Sequence, residues 1–359
     1  MWKRGCKTYY DGTKMILHSS PWINEADRKS VESVLASGMI DKGHITCEFE
    51  RKISDYLGVN HAVAQSSGTA ALVLALRTLE IGQDDEIILP TYVCRSVLEA
   101  VLSVGATPVL CDVDKTGVIT AATVTPHITS DTKAIIAVHI FGHPCDLQVL
   151  RHQGIPIIDD ACQAFGLAVD GPKAGALGDI GILSFHATKC LTTGEGGMLV
   201  TQNKTWAERA RQLADGNAAP SLRNVAPLSD LQAALGLSQL GRYSDFLERR
   251  IELRRQYTEA ALQLGIAIGF PEKSNMLFRF TLRSEKPFET LQEGFRQKGI
   301  SVRRGVDELL HRTLELNDSA FPMAVQLYQQ TVSVPFYPSL SNDESAAVSN
   351  AFGIVKYGH

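Results

Sequence analysis

The sequence predicts an α/β protein with a mostly parallel sheet, followed by a smaller C-terminal α+β domain. Three observations carry this. Short apolar, β-branched runs recur along the first part of the chain without polar alternation, as expected for strands covered on both faces. Helical segments separate them, and strand–helix alternation implies parallel pairing. Beyond a long amphipathic helix the pattern changes, and Phe278-Arg-Phe-Thr-Leu282 alternates like a strand of a separate sheet.

In chain order, residues 24–37 are predicted as a helix. Asn24 caps it, Ile23 lies outside as a staple and Gly38 stops it. Residues 49–57 form a second helix. Then come a strand at 61–64, a helix at 69–79, a strand at 86–89 ended by Pro90, and a helix at 96–104. Strands follow at 108–111, 134–138 and 156–159. Ile182-Leu-Ser-Phe185 and Gly197-Met-Leu-Val200 read as an adjacent strand pair around a lysine-bearing loop. Residues 228–253 read as one long helix. After it come the strand at 278–282, a helix at 288–299, a strand at 300–302 and a closing helix at 343–352. The expected domains are 1–245 and 246–359.

The composition of the 359 residues, 44% hydrophobic and 21% charged, allows a sizeable core in a globular protein. With a net charge of -4 and no long basic run, nothing indicates a nucleic-acid surface. The seven cysteines are scattered without a C-x-x-C pair, which argues against a zinc ribbon or disulfide framework and for a reducing, cytoplasmic setting. No apolar run reaches the length of a membrane span, and the N-terminal stretch is too charged for a secretory signal.

Lys189 is the residue that points to chemistry. It follows Ser184 and Thr188 and precedes the glycine-rich run Thr193-Gly-Glu-Gly-Gly197. The strand Ile155-Pro-Ile-Ile-Asp-Asp160 ends in two acids, and ligands of open α/β sheets bind at the C-terminal strand ends. One of the two acids is expected to be a solvated loop carboxylate; Gln163 lies one helical turn past Asp160. Ser66-Ser-Gly-Thr-Ala70 joins a strand to a helix, a place where N–H groups and a positive helix end meet an anion. A lysine, a strand-end acid and nearby hydroxyls are the parts that hold pyridoxal phosphate. The amine forms a Schiff base with the aldehyde, and the acid pairs with the pyridinium nitrogen. His139 and His143 have an H-x-x-x-H spacing but no accompanying helix or carboxylate, so no metal site is expected.

Taken together these segments resemble the DegT/DnrJ/EryC1/StrS family of PLP-dependent sugar aminotransferases. Besides the motifs above, the resemblance includes Gly82-Gln-Asp-Asp-Glu-Ile-Ile88, Val138-His-Ile-Phe-Gly142, Gln232-Ala-Ala-Leu-Gly236 and Ser333-Val-Pro-Phe-Tyr-Pro338. It implies PLP fold type I, like aspartate aminotransferase, with a mainly parallel seven-stranded sheet and a homodimer with composite active sites. Carried across, it implies Lys189 as the aldimine lysine and catalytic base, and Asp160 as the pyridinium partner. It implies Gln163 as partner of the ring hydroxyl, and Gly68, Thr69, Ala70 and Ser184 around the phosphate.

Two positions depart from the family pattern. Cys94 stands where an aromatic ring usually stacks on the cofactor, and Tyr92, two residues away, is the alternative. Val225 and Pro227 stand where an Asn-x-Arg usually precedes Gln-Ala-Ala, which leaves Asn224 to reach the partner subunit's phosphate. The expected reaction moves an amino group from an amino acid, L-glutamate, to a keto group on a nucleotide-linked deoxysugar in polysaccharide biosynthesis. The alternatives are a catalytically silent PLP-binding regulator and a PLP-dependent sugar dehydratase. Residues 39–43, Arg95, Arg303, Arg304 and His311 are candidates for the acceptor pocket.

Overall fold

A computed structural model describes residues 9–10, 13–168, 171–217, 225–269 and 276–358. Strands β1 (Tyr9–Tyr10) and β2 (Thr13–Lys14) pair as a small antiparallel ribbon. The main sheet holds β3 (His61–Gln65), β4 (Glu86–Pro90), β5 (Thr107–Cys111), β6 (Thr132–Val138), β7 (Ile157–Asp160), β8 (Ile180–Ser184) and β9 (Gly197–Thr201). Its order is β3-β9-β8-β7-β6-β4-β5, and only β9 runs antiparallel to its neighbours. The C-terminal ends of β3, β4, β6, β7 and β8 therefore open on one side, joined there by the start of β9. Gly197 sits opposite both Gln65 and Ser184. A Cβ on it would lie 2.2 Å from the Ser67 carbonyl oxygen, so backbone fills the space a side chain would need.

The first helix forms as its sequence predicts, over Glu25–Ser37. Asn24 and Asp27 make a reciprocal capping box, and Gly38 closes it at φ 72°. The second helix, His44–Leu57, begins five residues before its expected start, because its N-terminus is capped from elsewhere in the fold. The buried Asp230 carboxylate accepts from the N–H groups of Gly43 (2.8 Å), Ile45 (3.3 Å) and Thr46 (2.8 Å), and from the Thr46 hydroxyl at 2.7 Å. Desolvation opposes its ionisation, yet these donors hold Asp230 below its ordinary value. Asp230→Ala strands those donors, and a loss of about 2–3 kcal/mol in urea unfolding is expected. Because the folded-state pKa is depressed, this contribution is present above about pH 4 and fades as pH falls through the folded value, so wild type and variant converge in acid.

The expected long helix is two, Asp230–Gly241 and Tyr243–Gln263. The break falls at Arg242, whose guanidinium leaves the axis to bond the buried Asp27 at 2.6 Å and to lie over the Phe246 ring. The second helix links two apolar cores. Phe246 belongs to the core under the main sheet, whereas Leu253 and Tyr257 belong to a second core with Phe280, Phe295 and Phe352. Val306, Leu310 and Phe321 return to the first core.

The smaller sheet, β10 (Phe280–Arg283), β11 (Arg303–Arg304) and β12 (Thr331–Val334), has the order β10-β12-β11. Its strands differ from expectation in three ways, the first being that β10 begins at Phe280 rather than Phe278. Arg303–Arg304, not 300–302, makes the edge, because Ile300 bridges to Ile16 instead. The central strand β12 was not predicted, although Thr331-Val-Ser-Val334 alternates and Pro335 bounds it; all four residues are buried.

Candidate active site

Asp159 and Asp160 are consecutive residues of β7, so their side chains leave opposite faces of the sheet. Asp159 points into the fold. Its Oδ1 lies 2.9 Å from His139 Nε2, and its Oδ2 accepts from the N–H groups of Gly175 (2.8 Å), Leu177 (2.9 Å) and Gly178 (3.3 Å). The Cys145 N–H donates to His139 Nδ1, which puts the ring proton on Nε2, toward Asp159. The expectation of one solvated acid is thus corrected. Both are buried, and Asp159 is a structural anion that ties a histidine to a loop.

Asp160 points the other way, into a cavity of about 350 Å³ at the strand ends that Lys189 and Gln163 also line. The Cys162 N–H donates to Asp160 at 2.9 Å. Burial pushes the Asp160 carboxyl up, opposed by Cys162 and by the charge of Lys189. Its environment therefore favours a cationic partner.

Lys189 is carried by the loop between β8 and β9. The loop is pinned by Phe185 N–H to Gly196 O (2.8 Å), Thr193 N–H to Phe185 O (2.9 Å) and Lys189 N–H to His186 O (2.8 Å). Its Nζ lies 5.1 Å from the centre of the Phe278 ring. Across the cavity, the helix Gly68–Thr78 begins with Ser67 as its cap. Gly68, Thr69 and Ser184 line the cavity here. A Cβ on Gly68 would meet Ser184 Cβ at 2.9 Å, so glycine keeps the helix end and the Ser184 hydroxyl close together. Gln163 is oriented by a bond from the Phe141 N–H to its Oε1, 3.1 Å, which leaves the donor Nε2 as the other end of the amide. Phe141 holds φ 55° and Gly142 φ 89°. This left-handed pair aims one N–H at Gln163 and the Phe141 carbonyl at the Phe278 N–H, 2.9 Å away.

The model of the DegT/DnrJ/EryC1/StrS aminotransferase family matches residues 21–353. The chain belongs to this family. Among its relatives, the spore coat polysaccharide biosynthesis protein SpsC of Bacillus subtilis is 31% identical, over 91% of this chain and 93% of that protein. GDP-perosamine synthase of Caulobacter vibrioides is 36% identical over 70% of this chain and 72% of its own length. Among solved structures, Spr1654 of Streptococcus pneumoniae in its PLP form superposes with a TM-score of 0.90 at 27% identity, covering 96% of this chain and all of that one. The fold is that of the PLP aminotransferases of this family, a mainly parallel seven-stranded sheet with a smaller one, as the sequence predicted.

The chain is an aminotransferase, and pyridoxal phosphate is its cofactor. The residues present fit it: an acid whose carboxyl burial pushes up, a glycine-spaced helix N-terminus for a phosphate, and a lysine lining the same cavity.

Cys94 lines the cavity, but Tyr92 does not. The Tyr92 ring is buried edge-on to Phe141, and a Cβ on Gly305 would fall 1.9 Å from its hydroxyl, so Tyr92 packs against Phe141 and Gly305 rather than lining the cavity. Residues 91–93 bend away from β4 rather than continuing it, so strand alternation does not say which of Tyr92 and Cys94 faces the cavity. Ala70 is also set apart, since its N–H is taken by Ser67 Oγ at 3.1 Å and it does not line the cavity. Asn224 lies outside the described residues, while Val225 is exposed.

The weaker candidates separate as well. His311 is buried, stacked on Phe321 and bonded to Thr91 and Asp318, which makes it structural. His143 bonds the Gly269 carbonyl, and among the described residues no cluster of three His, Cys, Asp or Glu side chains is placed to hold a metal. Arg304 pairs with Glu289, and Arg95 pairs with Glu99 on the rim of the neighbouring cavity. Sequence reasoning missed His186 and Glu195, which line the cofactor cavity, and Phe278, which approaches Lys189 from the smaller sheet. His186 lay inside the lysine motif and was legible there. Phe278 was not, because only tertiary folding brings it to the loop.

Proposed function

We propose that this enzyme transfers an amino group from L-glutamate to a keto group of a nucleotide-linked deoxysugar. The observation that carries it is the convergence of Lys189, Asp160 and Gln163 on one cavity facing a helix N-terminus. When bound, the cofactor supplies an aldehyde that takes up the amine and a ring that accepts electrons. Lys189 would hold that aldehyde and would serve as the base and acid that moves a proton at the substrate carbon. Asp160 would pair with the ring nitrogen and keep it protonated. Gln163 would offer its Nε2 to the ring hydroxyl, and Gly68, Thr69 and Ser184 would hold the phosphate. Cys94, at the usual stacking position, contributes a smaller contact than an aromatic ring.

The sugar acceptor and a role in polysaccharide assembly are supported by the named relatives, one a synthase of GDP-perosamine and one a polysaccharide biosynthesis protein. The reading includes a cytoplasmic homodimer with composite sites, and large and small domains divided near residue 245. Among the described residues no helix is long and apolar enough to cross a membrane.

The test is incubation of the PLP-loaded protein with L-glutamate alone and then with nucleotide-linked keto sugars. One equivalent of 2-oxoglutarate per cofactor without acceptor, and sustained release with one, are expected. A visible lysine-bound cofactor that no amino acid converts would instead support the silent regulator. Light scattering checks the dimer.

A further inference from the structure

Two cavities meet at Cys94. The cofactor cavity of about 350 Å³ and a neighbour of about 680 Å³ share Val93, Cys94 and Gln163 as walls. The neighbour is bounded by the first turns of the helix Arg95–Ser103 and by residues 305–308, which follow β11. Two features keep the passage open. The Cys94 side chain is short, and its Sγ lies 3.0 Å from Ser96 Oγ, which ties the thiol back to the start of its own helix. On the other wall Gly305 carries no side chain, and the Tyr92 hydroxyl occupies the place where a Cβ would stand.

The keto carbon of an acceptor must come to Lys189, which lines the cofactor cavity and not its neighbour. What enters the neighbour is therefore a branch of the acceptor close to that carbon, and it has to pass Cys94. The lining says what kind of branch. Glu99, Asp307 and Glu308 bring three carboxylates against the guanidiniums of Arg95 and Arg279. Arg95 reaches Glu99 at 3.1 Å and Glu308 at 3.7 Å, which joins the two walls through exposed and therefore weak pairs. The exposed Asp307 carboxylate has no ion-pair or hydrogen-bond partner among the described residues. A free carboxylate only accepts hydrogen bonds, and an excess of carboxylates opposes a further anion.

We propose that this neighbouring cavity is a substituent subsite of the keto-sugar acceptor, and that Cys94 at its mouth is a specificity-determining residue. The open passage admits a neutral group that donates hydrogen bonds, carried on the carbon next to the keto carbon. An acylamino group has this chemistry, with an N–H for Asp307 and a carbonyl for Arg95. The diphosphate of a nucleotide sugar stays outside the subsite. The inference deepens the sugar-aminotransferase reading above and rests on it.

The test uses two probes, a nucleotide-linked keto-deoxysugar with a hydroxyl beside the keto carbon and the same sugar with an acetamido group there. In the PLP-loaded protein a keto sugar finds no amine to take, so the rise in melting temperature reads binding alone. The acetamido sugar should stabilise wild type and Cys94→Ala to a similar degree and Cys94→Phe much less, while the hydroxyl sugar stabilises all three. With L-glutamate present, the ratio of kcat/KM for the acetamido sugar to that for the hydroxyl sugar should fall about 10- to 200-fold in Cys94→Phe, the penalty of a blocked pocket. It should fall about 10-fold in Asp307→Ala, an exposed change that the fold tolerates, through loss of one hydrogen bond to a charged group. Taking a ratio removes any effect of Cys94 on the cofactor itself. Equal protection of wild type and Cys94→Phe by the acetamido sugar, or ratios unchanged in both Cys94→Phe and Asp307→Ala, overturns the proposal. So does stronger protection of wild type by the sugar with a carboxylate in place of the acetamido group. Conversion of neither sugar by wild type, with glutamate still converting the cofactor, would sink the sugar-acceptor reading, while the melting experiment still decides the subsite.

Discussion

Lys189→Ala is expected to abolish the visible band of lysine-bound cofactor and to lower turnover by about 10⁴-fold or more. General acid–base catalysis alone contributes roughly 10²- to 10⁴-fold, and the covalent hold on the cofactor is lost as well. The variant should fold, because Lys189 makes no side-chain hydrogen bond or ion pair with a described residue; its Nζ lies over the Phe278 ring and shares a cavity with Asp160. Its loop is pinned by backbone bonds of Phe185, Thr193 and the Lys189 N–H, all of which alanine preserves. Equal thermal stability of the two cofactor-free proteins, with an absorbance titration against PLP, separates loss of chemistry from loss of structure. An unaltered band in the variant would show that another lysine holds the cofactor.

Asp160→Asn should lower kcat by roughly 10²- to 10³-fold while PLP still binds through Lys189 and the helix end. An amide cannot stabilise a protonated ring nitrogen as a carboxylate does, so the loss falls on the step in which the ring takes up electrons. A pH dependence accompanies it. Burial raises the Asp160 pKa in the cofactor-free protein. A carboxyl raised in the folded state stabilises the fold most below its unfolded pKa of about 3.9, and that contribution is lost as pH rises through the folded value. A cationic ring nitrogen removes the disadvantage of the ionised form. The rise in melting temperature on adding PLP should therefore grow with pH in wild type and stay flatter in Asp160→Asn. Parallel pH profiles for both proteins would mean that Asp160 does not face the ring nitrogen.

These two residues were legible early for the same reason. A strand-end acid and a lysine in a loop of hydroxyls and glycines each sit in a local pattern whose physical meaning needs no partner. The first helix is similar, since Asn24, Asp27 and Gly38 complete their own caps. The start of the second helix was not legible, because its cap is Asp230, far along the chain.

The sequence by itself determined the strand–helix alternation, the parallel sheet, the lysine, the acid and the glycine-bordered helix end, since each depends on periodicity or on neighbours within a turn. Tertiary structure alone decided which of Asp159 and Asp160 faces the cavity, which of Tyr92 and Cys94 does, and that Phe278 and Arg279, just before β10, and Arg303 of β11 close around Lys189. The physical reason is that a strand offers Asp159 and Asp160 to opposite faces, while beyond β4 the chain bends at residues 91–93, and only packing tells which side chains there meet the site.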